Sequence, residues 1–139
     1  KIKIIYFSTS YVYPGKKGNY NENDSLLPWN NYGWSKLGGE CAVQMYKNSL
    51  ILRACMTQKP FVHKKAYVNV NSNFIYHEDI VKIFLKIINK RGIYNIGGKS
   101  QSIYNFVKKN NGKVEKKYSK GEFPLNQNMN LNKLYKSIK

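Results

Sequence analysis

Three short strand-like runs set between helical patterns constrain this chain more than any other feature. The first, IKIIYFS at residues 2–8, is continuously apolar rather than alternating, as a strand must be when both of its faces are covered in a parallel sheet. SLILRA at 49–54 is a second short strand, with Arg53 where a buried strand emerges, and GIYNIGG at 92–98 is a third, closed by glycines. A loop rich in Gly, Asn and Pro (14–31) leads from the first run into a helix predicted from about Asn30 to Lys47. Between the second and third runs, HEDIVKIFLKIINK (77–90) places Ile80, Ile83, Phe84, Ile87 and Ile88 at helical spacing. His77, Glu78 and Asp79 fit its first turn, where negative charge suits the helix dipole, and Asp79 reads as a cap rather than a ligand contact. SIYNFVKKN continues as a helix, KVEKKY as an edge strand and NLNKLYKSI as a terminal helix. Such alternation predicts an α/β domain. Only 56–76 resists assignment, with AYVNV and NFIY placed around the turn residues NSN.

The 139 residues suit one domain with a modest core, and 42% hydrophobic content separates the chain from disordered ones. A net charge of +17 invites a nucleic-acid partner. However, only two of the 24 basic residues, Arg53 and Arg91, are arginines, and the lysines are spread along the chain without a binding motif. Solvated surface lysine is therefore expected, with no specific nucleic-acid partner. Cys41 and Cys55 lack CxxC spacing and His63 and His77 lack companion ligands, so no metal is expected. With neither a signal pattern nor a long apolar run, the expected setting is cytoplasmic and away from membranes.

The stretch NNYGWSKLGGE holds Tyr32 and Lys36 four residues apart. That spacing is cheap among 12 tyrosines and many lysines, and it recurs at Tyr13/Lys17, Tyr104/Lys108 and Tyr135/Lys139. The pairs differ in setting: a strand ending in a hydroxyl, Thr9, precedes Tyr32, whereas Tyr13 sits in the loop. A tyrosine near its free pKa of about 10 is a reluctant proton donor and a poor base at neutrality. A lysine one turn away lies on the same helix face and stabilises the phenolate, while a strand-end hydroxyl such as Thr9 can hydrogen-bond a substrate oxygen.

The segments IIYFSTSYVYPG and NYNENDSLLPWNNYGWSKLGGE together resemble the extended short-chain dehydrogenase/reductase superfamily. Within it, LILRA, HEDIVKIF, GIYNIGGKSQSIYNF and NMNLNKLYKSI follow in the order found in the dTDP-4-dehydrorhamnose reductase branch. The resemblance implies a partial Rossmann-like, doubly wound sheet, with residues 1–55 as the catalytic strand and helix and 56–139 as the substrate-binding region. It implies Thr9, Tyr32 and Lys36 as catalytic residues, and contacts from Tyr32, Lys36 and Arg53 to NADPH or NADH. The implied reaction is reduction of a dTDP- or UDP-linked 4-keto-6-deoxy sugar. An epimerase or dehydratase of the same superfamily is the nearest alternative, and a non-catalytic basic binding module is the alternative from another class. Ser10 stands where the branch has an acidic residue, and the segment between Arg53 and His77 is short.

Nothing here resembles the Gly-rich strand-to-helix turn that grips a dinucleotide pyrophosphate. The chain is therefore expected to correspond to the C-terminal portion of such an enzyme, with a preceding segment, a partner chain or a homodimer supplying the rest. Two readings of Arg53 stand side by side: contact with a phosphate, or pairing with a carboxylate such as Glu40. For Trp29 and Trp34, packing is expected ahead of stacking on a base.

Overall fold

In a computed structural model that describes residues 2–111 and 113–139, the three runs become neighbouring parallel strands. The chain begins with β1 (Ile4–Thr9), a 3-10 turn (Ser10–Val12), α1 (Asn31–Gln44) and β2 (Ser49–Ala54). Four short strands follow: β3 (Met56–Thr57), β4 (Lys65–Tyr67), β5 (Asn71–Ser72) and β6 (Ile75–Tyr76). Then come α2 (His77–Ile87), β7 (Gly92–Ile96), β8 (Gln101–Ser102), α3 (Ile103–Asn111), β9 (Glu115–Lys117) and α4 (Asn132–Ile138).

The main sheet has the order β1-β2-β7, with Ser8 opposite Arg53 and Arg53 opposite Asn95. All six residues of the central strand β2 are buried, as its apolar run requires. In β1 only Ser8 and Thr9 are buried and Ile4 is 37% exposed, so its apolar pattern overstates its burial. The reason is position, because among the described residues β1 is an outer strand paired only with β2. β7, from the predicted substrate region, completes the sheet begun by residues 4–54.

Alternate residues of the strands face opposite layers. Leu50, Leu52, Ala54, Tyr94 and Ile96 pack with Ile80 and Ile87 of α2 and Leu134 of α4. Each such aliphatic side chain contributes about 1.5–3 kcal/mol when fully buried. On the other face lies α1, which begins as predicted, with Asn30 as its cap accepting the Gly33 amide at 2.7 Å. It ends at Gln44, three residues short of the predicted Lys47. Close approach to β1 is possible because Gly39 sits on the Tyr6 phenol, where a β-carbon would collide.

Residues 56–76 form ribbons too short to show any periodicity: β3 pairs with β6 and β4 with β9 in parallel, and β5 with β8 antiparallel. β9 is an exposed edge strand, as KVEKKY suggested, and its one partner among the described residues is β4. A second core of Ala66, Val70, Tyr76, Ile103, Phe106 and Val107 holds this layer together.

Candidate active site

Where β1 ends, the chain turns at once into the 3-10 turn, and Thr9 caps it by accepting the Tyr11 amide at 3.3 Å. The oxygen of Thr9 is thereby occupied while its hydroxyl hydrogen remains available. Tyr32 stands in the first turn of α1, 50% exposed, and among the described residues its hydroxyl makes no hydrogen bond. Thr9 and Tyr32 line one cleft of about 210 Å³, together with Ser8, Ser10, Tyr11, Ala54, Cys55, Met56, Phe74 and His77. One turn further along α1, Lys36 donates to the Phe7 carbonyl at 2.8 Å and lies 5.1 Å from the centre of the Tyr6 ring. The helix therefore carries Tyr32 at the cleft and Lys36 against the strand that delivers Thr9. The other Tyr-x-x-x-Lys pairs have different settings; Lys17 bonds Asp24, and Lys108 lies over the ring of Tyr104.

Arg53 takes the ion-pair alternative. It is 1% exposed; Nε and Nη2 bond the Glu40 carboxylate, Nη2 at 2.8 Å, and Nη1 bonds the Tyr13 hydroxyl at 2.9 Å. Its guanidinium is turned into the protein, onto the Glu40 carboxylate and the Tyr13 hydroxyl. Asp79 also differs from expectation, since it lies in the first turn of α2 but bonds Lys82 at 2.8 Å instead of capping an amide. Trp29 packs between Tyr11 and Phe123, with ring centres 5.2 and 4.8 Å away, whereas Trp34 is exposed.

Several residues of the site were not legible in the sequence. Tyr11, Met56 and Phe74 line both the cleft and a neighbouring cavity of about 830 Å³. That cavity is walled by aromatic rings from Phe61, Tyr67 and Phe123 and by His63, Lys64, Lys65 and Lys117. Burial raises the pKa of the Tyr11 hydroxyl far above the ordinary tyrosine value, so it stands at the junction as a neutral donor. Burial likewise pushes the Cys55 thiol up; it lies 2.9 Å from the Ser72 hydroxyl and is not an activated nucleophile. Among the described residues no group of acidic, His and Cys side chains is arranged to hold a metal ion, and no helix is long and apolar enough to cross a membrane.

Comparison with known proteins gives three kinds of likeness. The sequence model of one family, described as the RmlD substrate binding domain, matches residues 1–83. Over 37 residues the chain is 54% identical to methionine adenosyltransferase 2 subunit beta of Danio rerio, a match covering 27% of this chain and 12% of that protein. Among solved structures, a hypothetical dTDP-4-dehydrorhamnose reductase from Sulfolobus tokodaii superposes with a TM-score of 0.79 at 26% identity. The dTDP-4-dehydrorhamnose reductase of Bacillus anthracis in complex with NADP superposes with a TM-score of 0.80 at 22% identity, a likeness of fold. Each superposition covers 96% of this chain but 57% of the other, so the chain spans a little over half the length of these structures.

Proposed function

The chain belongs to the RmlD substrate binding domain family, and from that membership we propose that it forms the catalytic and substrate-binding part of a nucleotide-sugar reductase. The substrate is a 4-keto-6-deoxy sugar on dTDP or UDP, in the cytoplasm. The observation that carries this reading is the shared cleft of Thr9 and Tyr32, with Lys36 anchored one helical turn behind.

A nicotinamide dinucleotide, NADPH or NADH, supplies the hydride when bound. The residues present fit its nicotinamide end. Lys36 has three N–H donors, of which one is used by Phe7, leaving others for ribose hydroxyls. The cleft of about 210 Å³ suits a single ring such as the nicotinamide. The Thr9 hydroxyl, with its oxygen engaged by Tyr11, donates to the carbonyl oxygen of the sugar. Tyr32 gives its phenolic proton to that oxygen as the carbonyl becomes an alcohol. Lys36, one helical turn along the same helix and held on the Phe7 carbonyl, supplies the positive charge nearest in sequence to the phenolate that this leaves. The nucleotide occupies the larger cavity, where aromatic faces suit a base and Lys64, Lys65 and Lys117 suit phosphates.

The test is a nicotinamide absorbance assay on the intact protein with a dTDP-linked 4-keto-6-deoxy sugar. Dinucleotide oxidation matched by loss of the ketone supports the reading. Epimerisation at C4 without net dinucleotide consumption would assign the site to an epimerase instead.

A further inference from the structure

We propose that the buried Arg53–Glu40 pair is a positioning device, in which one guanidinium sets the separation between the helix bearing Tyr32 and the strand-end turn bearing Thr9. This rests on the reading of Thr9 and Tyr32 as the reacting pair. Along α1, only Gly33 and Glu40 are fully buried. Apart from Leu37 on the cluster of Val12, Tyr13 and Tyr20 and the contacts of Lys36 and Gly39 with β1, the helix has no buried apolar stripe to fix its rotation on the sheet. Glu40, at 0% exposure, supplies that restraint by receiving Nε and Nη2 of Arg53 from β2. Glu40 lies one turn beyond Lys36, which lies one turn beyond Tyr32, so a rotation that misplaces one misplaces all three.

The same guanidinium reaches the other half of the cleft. Its Nη1 donates to the Tyr13 hydroxyl at 2.9 Å and to the Glu22 carbonyl at 3.1 Å. Tyr13 follows the 3-10 turn that Thr9 caps, and its hydroxyl lies 2.8 Å from Oδ1 of Asn95 on β7. Asn95 in turn donates to the carbonyls of Tyr20 and Asn130. A fork of five donors can hold a carboxylate and a phenol at once; an ammonium cannot do so with fixed geometry. Stability alone does not call for the pair, because buried ion pairs are often matched or bettered by apolar side chains.

The test compares Arg53→Met/Glu40→Leu and Arg53→Lys with the parent protein. Three quantities are read: melting temperature, kcat and KM for a dTDP-linked 4-keto-6-deoxy sugar, and amide hydrogen exchange in α1 relative to α2. The double variant is expected to melt near the parent temperature, to lose turnover by about 10²-fold with KM little changed, and to exchange faster at Gly33–Lys36 while α2 is unaltered. Parental turnover and parental α1 protection in the double variant would overturn the proposal. Should the double variant not fold, Arg53→Lys decides: it must lose α1 protection, and retained protection overturns the idea. A parent without turnover would count against the reductase reading alone, since α1 exchange still tests the positioning.

Discussion

The Lys36 ammonium donates to the Phe7 carbonyl at 2.8 Å, two residues before the hydroxyl of Thr9. A lysine four residues after a tyrosine is common in this chain, but this one is tied to the strand end that brings Thr9 to Tyr32. The contact turns a frequent sequence spacing into one local arrangement of two hydroxyls and a cation.

Replacing Tyr32 by Phe keeps the ring and removes the proton. Reduction of the keto sugar is expected to fall by roughly 10²–10⁴-fold, the usual worth of a positioned acid, with dinucleotide affinity little changed. Lys36→Ala is expected to lower both turnover and dinucleotide affinity, measured by steady-state kinetics and fluorescence titration. Tyr104→Phe and Tyr135→Phe share the spacing but not the cleft, and they serve as controls that must stay near parental turnover.

Two adjacent glycines of α1 are expected to respond in opposite directions. A β-carbon on Gly38 meets open space, so Gly38→Ala should raise stability by about 0.5–1 kcal/mol in urea unfolding. A β-carbon on Gly39 collides with the Tyr6 phenol, whose hydroxyl donates to the Lys36 carbonyl at 3.2 Å. Gly39→Ala should therefore destabilise by about 1–3 kcal/mol and disturb the seat of Lys36. Equal effects at the two positions would contradict this packing.

Stability should decline in alkali. Burial pushes the Tyr13 hydroxyl up to about 12, although Arg53 and Asn95 pull it down. The unfolded tyrosine loses its proton near pH 10, so above that pH the unfolded state binds fewer protons than the folded one and stability falls. The contribution of Tyr13 is present below pH 10 and is lost between about pH 10 and 12, amounting to about 3 kcal/mol. Chemical unfolding across this window should show a shallower decline in Tyr13→Phe than in the parent, whatever its stability at neutral pH.

If the lysines are surface solvation, duplex DNA should bind more weakly than about micromolar at physiological salt, without sequence preference. Anisotropy titration with two unrelated duplexes measures this. Nanomolar, sequence-selective binding would favour a basic binding module instead.

Local signals were enough for the strand runs, the start of α1 at Asn30 and the shared helix face of Tyr32 and Lys36, because apolar runs, caps and four-residue spacing act between near neighbours. The likeness to a family of reductases was legible for the same reason, in the ordered residues from Thr9 to Glu40. Tertiary structure decided what depends on distant partners. It chose Glu40 for Arg53 across 13 residues, left β1 part-exposed at the side of its sheet, and paired β4 with β9 so that Lys117 reaches the larger cavity. Strands of two or three residues carry no periodicity of their own, and the partner of a buried charge is set by how a helix lies on a sheet. Neither quantity exists until the chain has packed.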